Sequence, residues 1–448
     1  MIGKQVWSLT PAKIILGGFF LIIFTGGILL CLPISSKSGQ VTPFLDALFT
    51  ATSATCVTGL VVHDTYTYWS LFGQAVILLL IQIGGMGVVT LAVAITIFSG
   101  KKIGLKQRYV MQESISAPQV GGIVRMTTFI VKGTIFFEVA GAVVMAFQFC
   151  PEEGFFRGIW FSVFHSISAF CNAGFDLMGG TSGPFSSLTS YMGNSIVTVP
   201  VMLLIVIGGI GFFVWDDLRT HKLKFKYYHL QTKIVLLTTF LLLIMPAVFL
   251  FIFEFSRNIW GEMSLKQRIL ASLFQAVTPR TAGFNSVNLT DLSIPAQTMI
   301  IILMIIGGSP GSTAGGIKTT TFALAFLCVR SAFQNQESIH CYKRRIPYDI
   351  LRNAIAILTM YLSLFLLVSF LISWADGVTL MAASFESASA IATVGLSLGI
   401  TGSLSPFSKV LLMLLMYFGR VGGLTMLYAL TNRKKFPVML PQERITVG

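Results

Sequence analysis

The chain has 448 residues, of which 54% are hydrophobic and 11% charged, with a mean hydropathy of +0.81. Soluble proteins carry about 25% charged residues, so water-soluble enzymes, disordered chains and collagen-like repeats are excluded and a multi-span membrane protein remains. The net charge of +14 does not indicate nucleic acid, because the basic residues gather in alternate connections between apolar runs.

The first apolar run covers about 14–34 and contains Pro33 rather than a small-residue cleavage site, so it is expected to remain as a span. A small-residue segment, LFTATSATCVTGL (48–60), follows, and then a second run over 72–98 containing IGGMG (83–87). A basic connection with Lys101, Lys102, Lys106 and Arg108 closes this unit. The second unit repeats the order: a run over 126–149, VFHSISAFCNAGF (163–175), a run over 195–215 with IGGIG, and a connection with Arg219, Lys222, Lys224 and Lys226. The third has a run over 233–255, SLFQAVTPRTAGF (272–284), a run over 296–329 with IGGSPG, and Arg330, Lys343, Arg344 and Arg345 after it. The fourth has a run over 354–374, SFESASAIATVGL (384–396), a run over 407–430 with VGGLT, and the basic residues Arg433, Lys434, Lys435 and Arg444.

The four small-residue segments align on Gly59, Gly174, Gly283 and Gly395, with spacings of 115, 109 and 112 residues. Repetition at a nearly fixed period sets the architecture. The expected units are 1–110, 111–222, 223–340 and 341–432, with a tail over 433–448. The small-residue segments offer about 12 helical residues where a crossing needs about 20, so each reads as a re-entrant half-helix followed by irregular backbone. The expected fold is therefore an all-α membrane protein: eight transmembrane helices and four half-helices around one pore. The basic connections put both termini on the cytoplasmic face of the cell membrane by the positive-inside rule. The paired glycines of the second runs allow close helix packing, and a second reading that need not exclude the first is that they leave room for a pore or hinge.

A half-helix ending at mid-membrane turns the negative end of its dipole to the centre. Extended backbone beyond it can replace an ion's hydration shell with carbonyl oxygens, and glycine permits the turn this needs. The candidate potassium-binding residues are Val57, Thr58 and Gly59; Asn172, Ala173 and Gly174; Thr281, Ala282 and Gly283; and Thr393, Val394 and Gly395.

Together with TPRTAGFNS (278–286), GGSPGSTAGGIKTTT (307–321) and FGRVGG (418–423), these stretches resemble the Ktr/Trk/HKT superfamily of potassium transporters. The resemblance is closest to the bacterial Ktr membrane subunits (KtrB/KtrD type) and covers about residues 10–435. It implies four span–pore-helix–span repeats with one filter glycine each, and glycine at all four positions matches the potassium-selective members. It also implies a homodimer, embedded in membrane lipids, whose cytoplasmic face docks a cytosolic nucleotide-binding ring (KtrA/KtrC type). The transported ion is potassium; sodium as an activator stays open.

The third unit's second run is interrupted by ten residues, 307–316, with five glycines and Pro310. Such residues break a helix, and broken helices bind ions or move in transporters. The resemblance implies that Gly308, Ser309, Pro310, Gly311, Ser312, Thr313, Ala314, Gly315 and Gly316 form a gate under the filter. Lys318 either snorkels to the cytoplasmic face or joins that gate. Arg420, in mid-span, either caps backbone carbonyls or, as the resemblance implies, is a fixed positive charge below the filter. Arg280 is expected to hold filter backbone from behind, Glu386 and His165 to pack or hydrogen-bond, and Glu138 has no assigned role.

A hydrolase is the rival class: Gly307–Gly311 formally matches G-x-S-x-G, but a nucleophile elbow needs a strand–turn–helix setting. HExxH and nucleotide-binding motifs are absent, so ATP hydrolysis in this chain cannot drive uptake. The membrane potential supplies about 2.3 kcal/mol per charge per 100 mV, enough for a roughly 50-fold potassium gradient. A rocking carrier would carry inverted repeats, whereas these copies share one direction.

Overall fold

The structure, a computed structural model, describes residues 10–88, 90, 104–114, 121–222, 224–336, 338–423 and 425–426. The tail over 433–448 and the C-terminal ends of the first and fourth units' second runs lie outside the described residues.

The chain is mostly helical. The first span of each unit is a long apolar helix: α1 (Pro11–Cys31), α5 (Ile123–Glu153), α9 (Leu230–Phe249) and α13 (Tyr348–Asp376). All four are long and apolar enough to cross a membrane, α9 together with the π-helical turn that extends it to Glu254. Each is followed by a short helix: α2 (Phe44–Thr55), α6 (Phe155–Phe170), α10 (Leu265–Val277) or α14 (Leu380–Ala392). At about 1.5 Å per residue these reach only about 18–24 Å, and their small side chains, such as Ala47, Ala51 and Ala54 in α2, are fully buried.

The second runs depart from the expected continuous spans. They form α3 (Leu71–Met86), α7 (Ser195–Gly209) with α8 (Phe212–His221), α11 (Ile294–Ile305) with α12 (Thr319–Phe333), and α15 (Pro406–Val421). Each helix breaks at or beside its glycine pair. Gly87, Gly211 and Gly422 have φ of +84°, +101° and +89°, values that side chains resist. At Ile210–Gly211 the axis turns by 93°. Among the described residues, four helices can cross by length and composition alone, or five if the bent pair counts as one span. A short helix α4 (Leu105–Ser114) lies across the junction of the first and second units, and a hairpin of two-residue strands, His340–Cys341 with Arg344–Arg345, lies at that of the third and fourth.

Gly84 and Gly208 of the glycine pairs, and Gly419 just before the fourth unit's pair, have a packing role. A Cβ on Gly84 would lie 2.0 Å from the Thr55 carbonyl oxygen, one on Gly208 2.0 Å from that of Phe170, and one on Gly419 2.1 Å from that of Ile391. In three units the second helix thus lies directly against the C-terminal end of its own short helix, closer than any side chain allows. The ring of units closes through α15 and α2, where Lys409 pairs with Asp46 at 3.0 Å. Lys409 is almost buried there, so the contact is shielded from water.

Candidate ion pathway

The four short helices point their C-terminal ends at one place, and the backbone beyond each turns in the same way. Val57, Asn172, Thr281 and Thr393, each two residues before its glycine, have φ between +54° and +69°, and Gly59, Gly174, Gly283 and Gly395 lie between +68° and +96°. The residue between them keeps negative φ, and this alternation turns successive carbonyls toward one side of the chain. The same conformation in four unrelated tripeptides is imposed by the site, since a non-glycine residue pays for positive φ.

The glycines meet in chain order. A Cβ on Gly59 would lie 2.4 Å from the Ala173 oxygen, one on Gly174 2.7 Å from that of Ala282, one on Gly283 2.4 Å from that of Val394, and one on Gly395 2.2 Å from that of Thr58. Each glycine therefore abuts a carbonyl of the next unit, and the fourth returns to the first. No side chain fits at any of the four positions. This ring of carbonyl oxygens, faced by four helix C-termini, is an arrangement that can strip and hold a small cation.

Hydroxyl groups secure the irregular backbone. Ser53 accepts from Thr58 N at its carbonyl (2.8 Å) and from Gly59 N at Oγ (3.0 Å). Ser389 does the same for Val394 N (2.8 Å) and Gly395 N (2.9 Å). Ser168 takes only the first of these bonds, from Ala173 N at 2.7 Å. The third unit has Val277 at this position, and Thr278 Oγ1 instead donates to the Phe284 carbonyl at 2.6 Å. These serines were missed in the sequence; the available signal was a hydroxyl six residues before the glycine in three units of four.

His165 and Glu386, each nine residues before its glycine, tie down the chain beyond the ring. His165 Nδ1 lies 2.7 Å from the Phe161 carbonyl and Nε2 lies 3.2 Å from Leu177 N. That pattern assigns the proton to Nδ1 and makes Nε2 the acceptor. Glu386 accepts from the Ser397 and Thr401 hydroxyls. Arg280 is buried, and its nearest polar partner is Thr239 Oγ1 on α9 at 3.4 Å. Among its described hydrogen bonds none reaches the backbone of the ring stretches. Glu138 on α5 accepts from Gln82 of α3 (3.3 Å) and lies 3.9 Å from Cys171 Sγ, joining the first two units beside the ring.

One side of the ring opens on a cavity of about 210 Å³ floored by the four glycines and walled by Asp64, Asp176, Asn285 and Thr401. Its two carboxylates give it a negative potential. Asp64 is held by Thr67 N (2.7 Å) and Phe185 N (3.0 Å). Burial, reinforced by the nearby Asp64 charge, pushes the Asp176 carboxyl up to about 7, against the hydrogen bond it accepts from Met178 N.

The other side holds residues 306–318, which are not helical. Gly307 N donates to the Ile317 carbonyl (2.9 Å) and Thr319 N to that of Gly308 (3.1 Å), closing the base of a loop. The second unit grips this loop: Ser309 N donates to the Gly209 carbonyl (2.9 Å), Phe212 N to that of Gly311 (2.8 Å), and Thr313 Oγ1 to that of Phe170 (3.2 Å). Ser312 Oγ donates to Ser309 O (2.7 Å). A Cβ on Gly315 would strike Thr393 Oγ1 at 2.1 Å, so the loop lies directly beneath the fourth ring stretch. Pro310, Gly311, Ser312, Ala314, Gly316, Lys318 and Arg420 line a second cavity of about 270 Å³.

Lys318 Nζ turns back to the Ala314 carbonyl at 2.6 Å. Arg420 donates to the Thr313 carbonyl and to those of Gly84 and Gly85, the last at 3.1 Å. One side chain thus joins the loop, the end of α3 and α15. The carbonyl-capping reading of Arg420 holds, and its guanidinium also faces the cavity beneath the ring.

The family profile described as TrkH, cation transport protein, matches residues 19–445. The chain belongs to this family. A similar protein is Ktr system potassium uptake protein B of Bacillus subtilis, 37% identical over 98% of this chain and 97% of its own length. Another is potassium/sodium uptake protein NtpJ of Enterococcus hirae, 36% identical over 98% of both. The potassium transporter TrkH from Vibrio parahaemolyticus shares the fold with a TM-score of 0.73, covering 96% of this chain and 86% of that one at 20% identity. This TrkH-family chain is accordingly an ion transporter and not an enzyme, and its apolar helices are those of a multi-pass membrane protein.

Proposed function

We propose that this TrkH-family protein conducts potassium into the cell through the ring formed by Gly59, Gly174, Gly283 and Gly395, driven by the membrane potential. The observation that carries this reading is the closed ring itself, in which each glycine abuts a carbonyl of the next unit. In this reading the four short helices are pore helices, and each pair of helices cut at its glycines serves as one crossing, giving eight crossings in all. Val57–Gly59, Asn172–Gly174, Thr281–Gly283 and Thr393–Gly395 form the selectivity filter. Gly308–Gly316, Lys318 and Arg420 form the gate, a role favoured by their position beneath Thr393 and by a helix break that lines a cavity.

Both termini face the cytoplasm, a homodimer is the working assembly, and a cytosolic nucleotide-binding subunit of the Ktr type moves the gate. The name of the Bacillus relative, a Ktr system protein, supports a multi-component assembly. A mixed potassium and sodium path is the second reading, favoured by the name of the Enterococcus relative. Potassium uptake in a transport-deficient bacterium, measured with and without sodium, separates them. Potassium uptake that sodium does not match supports the first reading; equal sodium flux supports the second, and no cation flux from correctly inserted protein contradicts both.

A further inference from the structure

Outside the ion pathway, one face of α5 mixes two kinds of side chain. Arg125, Phe129, Lys132 and Phe136 recur at helical spacing on that face, basic and aromatic side chains in alternation, with Phe136 furthest from the N-terminal end. Across from them lie Val206 and Ile210 at the end of α7, and Trp215 and Arg219 on α8. Between the two walls runs an open groove of about 850 Å³. The 93° turn at Ile210–Gly211 creates it, because α8 leaves the direction of α7 and becomes a floor. Trp215 closes the base: its ring lies 3.0 Å from where a Cβ on Gly133 would stand.

The three cations of this groove carry no ion pair among the described residues. Arg219 stacks over the Phe129 ring at 5.0 Å, and all three are exposed. No carboxylate lines the groove. The adjoining pocket below it contains Asp216 and Asp217, of which Asp217 is taken up by His221 Nδ1 (2.7 Å) and His229 N (2.9 Å). Phe136 is 66% exposed, which in a membrane means exposure to acyl chains.

We propose that this groove binds one anionic glycerophospholipid of the cytoplasmic leaflet, its phosphate held by Arg125, Lys132 and Arg219 and an acyl chain lying along Phe136, Val206 and Ile210. Basic pockets between spans at the cytoplasmic side bind such headgroups, and guanidinium matches phosphate in geometry. A zwitterionic lipid offers the same phosphate but brings its own ammonium against the three positive charges, which repel it. The site rests on the membrane embedding proposed above, and it couples lipid to the same α7–α8 bend that grips the loop through Gly209 and Phe212.

The test is native mass spectrometry of the detergent-purified full chain titrated with phosphatidylglycerol or phosphatidylcholine, without any ion gradient. Because nothing is transported in this assay, its failure would leave the conduction reading intact. Wild type should retain one phosphatidylglycerol in preference to phosphatidylcholine. Each cation removed should weaken that binding roughly fivefold, and R125Q/K132Q/R219Q together by on the order of 100-fold. The charge-matched control R330Q/K343Q/R345Q should bind as wild type does. Phe136→Gln, which changes an exposed side chain and no charge, should weaken retention of the long-chain lipid but not of glycerophosphate. Equal binding of the two lipids by wild type, or equal losses in the triple variant and its control, would overturn the proposal. So would a triple variant that keeps its lipid but loses self-association, since the groove would then be an interface between copies.

Discussion

Ser389 shows how little side-chain chemistry secures the ring. Its carbonyl and Oγ take the amides of Val394 and Gly395, and the rest of the turn is backbone. Ser389→Ala leaves the Gly395 amide without a partner, at a cost of about 1–3 kcal/mol for a buried donor. Because Thr393 is held at positive φ, that stretch should relax, and potassium-over-sodium preference in flux competition should fall severalfold. An unchanged preference would show that Ser389 does not hold the turn. The serine register was open to inspection in the sequence but lost among the many small residues of these helices, and Val277 breaks it in the third unit. Lys318 and Arg420 were visible as costly charges, yet Lys318 turns back on a carbonyl of its own loop and Arg420 reaches carbonyls from distant segments, which no residue pattern reveals. At the outer cavity, Asp176 titrates near neutrality with Asp64 as its charged neighbour. Its carboxyl, raised to about 7, is charged above that pH and neutral below it. Uptake at sub-saturating potassium should therefore fall roughly two- to fivefold as external pH drops from about 8 to about 6. Asp176→Asn should flatten that profile, and a pH response identical to wild type would remove Asp176 from the account.

Among the elements, the interrupted helix of the third unit was legible because five glycines and a proline in ten residues leave no other outcome. The breaks in the other second helices were not, because clustered glycines serve close packing and bending equally well, and here they divide the work: Gly84, Gly208 and Gly419 pack while Gly87, Gly211 and Gly422 turn the chain. The grip of the second unit on the loop was also hidden, since it depends on backbone groups of Gly208, Gly209 and Phe212. That grip changes the expected energetics: the loop is held by hydrogen bonds rather than by apolar contact, so it should open as a latch releases. Deleting about five residues within Gly308–Gly315 removes the bonds from Ser309 and Thr313 together. Potassium flux in reconstituted vesicles should rise several-fold and depend less on a regulatory subunit. A deleted protein that inserts normally and conducts no faster than wild type would make the loop structural.

For the whole molecule, length and composition excluded a soluble enzyme, and the recurring glycine register is what suggests four units, because repetition survives without knowledge of contacts. The order in which those units meet is a property of the fold, and the ring of Cβ clashes supplies it. Alternating basic connections predict sidedness: a cysteine replacing Lys224 should react with an impermeant thiol reagent only from the cytoplasmic side, and one replacing Glu153 only from outside. Reaction of both from one face would contradict the eight-crossing arrangement. The central claim is that four glycines, one per unit, form a single selective constriction. It is tested most directly by the potassium-to-sodium permeability ratio, from reversal potentials, of Gly59→Ser, Gly174→Ser, Gly283→Ser and Gly395→Ser in turn. The account predicts that each substitution lowers the ratio, by on the order of tenfold for the loss of about 1.4 kcal/mol of discrimination, because each adds a side chain where a neighbouring carbonyl already stands. A correctly inserted, conducting variant with the wild-type ratio at any one of the four would contradict it.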